Sequence, residues 1–137
     1  MLRLALAAAL LCCASAHATP TESARQHFQA IAANETAALV DAYHDDAILE
    51  WVGGPLDGRY VGRDAIRAVW ERFAATNGRL DLLVARLDEQ PNPKGATVVA
   101  DARYRGKAQL KIRHALTLRG GRIATEIWQI SPEMQFE

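Results

Sequence analysis

The chain has 137 residues, with 16 basic and 16 acidic side chains and therefore no formal net charge when its histidines are neutral. No basic patch stands out, which argues against nucleic acid as a partner. Beyond the N-terminal run described next, no apolar stretch approaches the length that spans a bilayer.

Residues 1–18, MLRLALAAALLCCASAHA, have one basic residue (Arg3), an apolar run from Leu4 to Ala14 and a small-residue close at Ala16-His17-Ala18. That is the layout of a secretory signal peptide cleaved after Ala18. The run is too short for a permanent anchor. Leu11 and Cys12 stand where a lipoprotein site wants a small residue before its cysteine. A periplasmic or secreted location is expected, with no membrane association after cleavage. Both cysteines, Cys12 and Cys13, fall inside this segment, so the remaining domain, 19–137, has 119 residues, no disulfide and only its core to hold it.

In chain order, Pro20 and Thr21 open a helix, with Thr21 as the expected N-cap. Ala24, Phe28, Ile31 and Ala32, then Leu39, Val40 and Tyr43, follow helical spacing, and Asn34-Glu35 divides them into two helices. Tyr43 is expected to end the second on its apolar side. His44, Asp45 and Asp46 then read as a polar turn, with the acids bonding backbone N–H groups and His44 on the surface. Residues 47–52 read as a strand, punctuated by Gly53-Gly54-Pro55 and Asp57-Gly58, and Arg59-Tyr60-Val61 as a short one. Asp64 opens a third helix, striped by Ile66, Val69, Trp70 and Phe73 and stopped by Asn77-Gly78.

The period then changes. Residues 80–87, 97–105, 109–118 and 122–130 read as strands separated by Pro91-Asn92-Pro93-Lys94-Gly95, Gly106-Lys107 and Gly120-Gly121. Leu110, Ile112, His114, Leu116 and Leu118 alternate with Lys111, Arg113, Ala115, Thr117 and Arg119, the pattern of one face on a core and one in water. Helices first and a meander after them imply an α+β domain with helices packed on one face of a curved, mostly antiparallel sheet.

Three stretches carry a resemblance: Tyr43-His44-Asp45-Asp46-Ala47; residues 58–66, GRYVGRDAI; and residues 114–123, HALTLRGGRI. They resemble the nuclear transport factor 2-like superfamily, with its SnoaL-like polyketide cyclases and ketosteroid isomerases. The resemblance implies a cystatin-like, cone-shaped barrel with a pocket between helices and sheet, often dimerised through the outer sheet face, so a homodimer is expected. It says little about activity, because such folds host many chemistries. Against the isomerase branch, which uses an Asp base with a Tyr and a protonated Asp, Trp51, His27 and His114 stand at the three positions. An indole N–H is only a donor, so Trp51 cannot act as that base.

The residues expected to share the pocket are His114, His27 and Glu126 as candidate acid–base groups, and Tyr43, Trp51, Trp70, Tyr104 and Trp128 as candidate ligand-binding groups. Each also has a plainer reading: a histidine on an apolar face is commonly a bonded core residue, and aromatic residues on inward faces fill cores. Glu126 shares its strand face with Trp128 and Ile130, whereas Ile123 and Ile127 take the opposite parity, so its direction depends on whether a bulge intervenes. An inward Glu126 must be paired or have a raised pKa.

No cofactor is expected, and no short ligand spacing such as H-x-x-x-H supports a metal. The expected function is binding of a small, mainly apolar molecule. The alternatives are acid–base proton transfer of cyclase or isomerase type with His114, and a non-catalytic dimeric scaffold whose outer face carries Lys111, Arg113, Arg103 and Asp101. A cavity holding His114 and a second titratable group would favour the enzyme, and a filled interior the scaffold.

Overall fold

The computed structural model describes residues 17–136, so most of the expected signal segment lies outside the described residues. Helix α1 spans Pro20–Ala33 and is capped by Thr19, two residues before the expected Thr21. The Thr19 hydroxyl accepts from the Glu22 backbone N–H at 3.2 Å, while the Glu22 carboxylate accepts from the Thr19 N–H at 2.8 Å. Pro20 therefore falls inside the helix at its first position, where its missing N–H leaves no bond unmade. Asn34 ends the helix in the left-handed conformation, and α2 follows at Thr36–Asp41.

Strand β1 spans Tyr43–Val52, which corrects two expectations. Tyr43 starts a strand rather than ending a helix, and His44, Asp45 and Asp46 belong to that strand rather than to a turn. The reason is long-range pairing. Tyr43 lies beside Ile123 of β6 (Arg122–Ile130) in a parallel register that resumes at Ile48 opposite Thr125. The His44 imidazole nitrogen lies 2.7 Å from the Arg119 carbonyl oxygen, and Asp45 faces the Arg63 guanidinium at 3.3 Å. These contacts replace the local backbone bonds that a turn would have required.

Strand β2 (Gly58–Val61), helix α3 (Arg63–Asn77) and strands β3 (Asp81–Asn92), β4 (Gly95–Arg105) and β5 (Gln109–Arg119) match the expected order. The sheet runs β2-β1-β6-β5-β4-β3, with β1–β6 its parallel pair. β3 is longer than expected and continues through Pro91, which an edge strand tolerates because one row of its N–H groups has no ladder partner. At the β3–β4 hairpin the chain passes close to β5: a Cβ at Gly95 would lie 2.0 Å from the Leu118 carbonyl oxygen. Only glycine fits there.

The helices pack into the concave side of the curved sheet. α1 buries Ala24, His27, Phe28 and Ile31, and α3 buries Ile66, Val69, Trp70 and Phe73. The sheet meets them with the predicted inward row of β5 and with Val98, Ala100, Ala102 and Tyr104 of β4. The small residues of β4 leave room for the large rings that fill the cone.

Candidate functional site

The position of Glu126 is decided by a bulge. Across β5–β6, Leu118 pairs with Ile123 but Thr117 pairs with Thr125, so Ala124 is an extra residue. One inserted residue exchanges the two faces of a strand. Ile123, Glu126 and Trp128 are consequently all buried, while Ile127 points outward at 40% exposure.

Inside, the Glu126 carboxylate is held on both oxygens. Oε2 is bonded to His27 Nε2, and Oε1 accepts from the Tyr43 hydroxyl at 3.1 Å. The Tyr43 hydroxyl in turn accepts from the Trp70 indole N–H at 3.0 Å. One connected chain, Trp70–Tyr43–Glu126–His27, thus joins α3, β1, β6 and α1. Burial, then the nearby Glu126 charge, raises the Tyr43 pKa well above its ordinary value, so the phenol keeps its proton.

His114 is not part of this chain. No hydrogen bond joins it to His27; the two imidazoles flank Phe28, whose ring lies 4.1 Å from His114 and 6.1 Å from His27, centroid to centroid. His114 Nε2 instead meets the Tyr104 hydroxyl at 3.0 Å. Burial, reinforced by His27, lowers the His114 pKa well below 6.5, while burial and Glu126 raise that of Tyr104. The result is a neutral imidazole beside a protonated phenol. Of the three candidate acid–base groups, the structure brings His27 and Glu126 together and leaves His114 in a separate pair. Among the described residues no three His, Cys, Asp or Glu side chains gather as a metal-holding set.

The candidate ligand-binding residues divide similarly. Tyr43 and Tyr104 serve the two polar pairs. Trp51 packs with Trp70 and Trp128, each at 5.0 Å between ring centroids, and Phe73 lies 5.3 Å from Trp128. These rings close the interior above the titratable groups. Beyond them lies a cavity of about 250 Å³, lined chiefly by Trp51, Leu56, Phe73, Leu110, Trp128 and Ile130. Its remaining wall residues are Pro55, Thr76 and Asn77, so no charged side chain borders it. His27, Tyr43, Tyr104, His114 and Glu126 do not line it.

Sequence reasoning missed Leu56, Phe73, Leu110 and Ile130 as wall residues. Phe73 and Leu110 sat in recognised apolar rows, but nothing local distinguished row ends that border a cavity from those inside the core. Leu56 lies in a turn and gave no signal. Four buried polar atoms in this interior have no hydrogen-bond partner: His27 Nδ1, His114 Nδ1, Trp51 Nε1 and Trp128 Nε1. Each such group costs about 1–3 kcal/mol when unsatisfied.

The sequence profile of the SnoaL-like domain matches residues 24–126. The chain belongs to the SnoaL-like domain family. No curated protein matches it in sequence. The SnoaL-like chain does align with many solved structures. An NTF2-like protein of unknown function from Burkholderia xenovorans LB400 is 20% identical, with a TM-score of 0.67 over 85% of this chain and 86% of that one. The Anabaena orange carotenoid protein binding canthaxanthin is 17% identical, with a TM-score of 0.69 over 85% of this chain and 38% of that one. TerC co-crystallised with polyporic acid is 16% identical, with a TM-score of 0.63 over 81% of this chain and 90% of that one. At such identities the likeness is one of fold.

Two predictions follow from the buried groups. Replacing His27 with leucine strands a buried carboxylate and should cost about 3–5 kcal/mol, whereas the double replacement His27→Leu/Glu126→Leu should recover much of it. Urea unfolding of the four members of the cycle tests this; additive single and double effects would refute the pairing. The second concerns pH. His114 has a lowered pKa when folded, so below about pH 6.5 the unfolded chain binds the extra proton and stability falls. The loss is at most about 1.4 kcal/mol per pH unit for one group, and continues until the folded pKa is reached. His114→Gln should flatten the unfolding midpoint between about pH 6.5 and about pH 5; an unaltered slope would assign the proton to another group.

Proposed function

We propose that this SnoaL-like domain binds a small, mainly apolar molecule in the cavity bounded by Trp51, Leu56, Phe73, Leu110, Trp128 and Ile130. The observation that carries the reading is the wall itself: aromatic and aliphatic, with no charged side chain. Burial of apolar ligand surface there yields roughly 25 cal/mol per Å² removed from water. A volume of about 250 Å³ lies at the small end of ligand sites, which favours a ligand of one or two rings. Support comes from TerC, co-crystallised with polyporic acid, and from the canthaxanthin-binding protein, 38% of which aligns with this chain.

Binding is favoured over proton transfer because no candidate acid–base group lines this cavity; His27 borders a separate pocket with Gln26, Ala30, Ala38 and Ala42, and His114 and Glu126 line neither. The scaffold reading has less to support it. Arg113 on the outer sheet face already holds Asp101 through two bonds, of 2.8 and 3.0 Å, so this part of the face is internally neutralised. Export with cleavage after Ala18, and pairing of two copies in solution, are further parts of the proposal, resting on the N-terminal sequence and on the family resemblance.

Thermal shift and tryptophan fluorescence with a panel of one- and two-ring compounds test the binding reading, since two of the three tryptophans line the cavity. At a ligand concentration about one hundred times Kd the domain should gain about 2.7 kcal/mol. Leu56→Arg, at a half-buried wall position, should weaken binding at least about tenfold, since it buries a charge or blocks the cavity. No stabilisation by any member of the panel would sink the reading. For the second part, protein recovered from the exporting host should have the intact mass of residues 19–137 and sediment as a dimer; an uncleaved chain or a monomer removes the corresponding claim.

A further inference from the structure

On the outer face of the sheet, where the β3–β4 hairpin meets the end of β5, lies a depression of about 310 Å³. It shares no residue with the apolar cavity. Lys94 and Arg119 line it together with Gln90, Asn92, Thr97 and Thr117, and no acidic side chain does. Gly95 lends it backbone but no side chain. The other cations of this face are engaged. Arg59 faces Glu50 at 3.3 Å, Arg86 faces Asp88 at 2.6 Å and Arg113 holds Asp101 at 2.8 Å. Lys111 donates to the Pro132 carbonyl oxygen, and the Arg103 guanidinium lies over the Phe136 ring. Among the described residues, Lys94, Arg119 and Arg122 pair with no acid. The last two acids of β3 are committed elsewhere: Asp88 to Arg86, and Glu89 to the Thr21 N–H of α1 at 3.0 Å. Arg119 and Arg122 moreover stand directly opposite each other across the β5–β6 hairpin. Like charges so placed repel, and the fold supplies no counter-charge.

We propose that this depression binds the phosphate group of a small, soluble phosphate ester, with Arg119 and Lys94 as its counter-charges. A phosphate monoester carries a charge of about −1.5 to −2 at pH 7, which matches the two cations that line the site. The planar guanidinium of Arg119 can hold two phosphate oxygens in parallel bonds, and the Lys94 ammonium a third as a point charge. Asn92 Oδ1 already accepts from the Lys94 N–H at 2.8 Å, so what its amide has left to offer is an N–H donor, the complement of a phosphate oxygen. Both cationic side chains are exposed, so an anion reaches them without displacing any packed ring. Its charge also screens Arg119 from Arg122. A single carboxylate brings one charge and two oxygens, and leaves one of the cations without a partner. The volume leaves room beyond the phosphate for a short organic group.

Calorimetric titration with glycerol 3-phosphate, at an ionic strength held constant with sodium chloride, tests the site. The ester should bind about tenfold more tightly than malonate, a dicarboxylate of equal charge. Arg119→Gln and Lys94→Gln should each weaken binding about tenfold, as the loss of one charge-assisted bond allows. Arg67→Gln removes an exposed charge from α3 and should leave the affinity unchanged. Melting temperatures give a second readout that a purely structural role for Arg119 would not produce. In chloride alone Arg119→Gln should melt higher than wild type, because the repulsion with Arg122 is gone. Glycerol 3-phosphate should raise the melting temperature of wild type and not that of the variant. Vesicles of phosphatidic acid distinguish a lipid headgroup from a soluble ester. Capture by these vesicles without binding of glycerol 3-phosphate would overturn the proposal. Equal binding of malonate, an undiminished phosphate response in both variants, or a lower melting temperature of Arg119→Gln in chloride would do the same.

Discussion

The Glu126 carboxylate lies fully buried inside the cone, where bulk water cannot solvate it. That placement constrains the elements around it. An unpaired carboxylate there would be costly, so each oxygen needs a partner. His27 comes from the first helix and Tyr43 from the first residue of β1. Trp70 then supplies a donor to Tyr43 from the opposite helix. A single polar chain therefore ties the N-terminal helix, both members of the parallel strand pair and α3 to one geometry. Removing any link leaves a buried polar group without its bond.

The rest of the interior is organised around that chain as a stack of rings. Phe28 stands beside both imidazoles, Trp128 packs edge-on to His114, and Trp51, Trp70 and Phe73 close over them. A domain without a disulfide gains its stability from such burial. It also separates two kinds of chemistry. The candidate acid–base groups do not border the cavity beyond the rings, which is apolar and uncharged. The functional reading follows from this separation, since proton transfer needs contact between substrate and acid or base.

The strongly periodic parts of the chain were legible before the structure. The stripe of α3 and the alternation of β5 each predicted which side chains face the core, because a regular period maps directly to a face. His114 could be placed inward on that ground. Glu126 could not, because one extra residue, Ala124, changes the parity of its strand, and a bulge has no fixed residue signature. The start of β1 was misread for a related reason. Local preference favours a turn at His44-Asp45-Asp46, but pairing with β6 overrides it.

The sequence by itself determined the α+β class, the order of elements and the inward rows of α3 and β5. Those properties depend on patterns within one segment at a time. Only the tertiary structure decided that His27 meets Glu126 while His114 meets Tyr104, and that neither pair borders the cavity. These are relations between residues far apart in the chain: 99 positions separate His27 from Glu126. Such distances are set by how helices seat on a bulged sheet, and no local pattern encodes them.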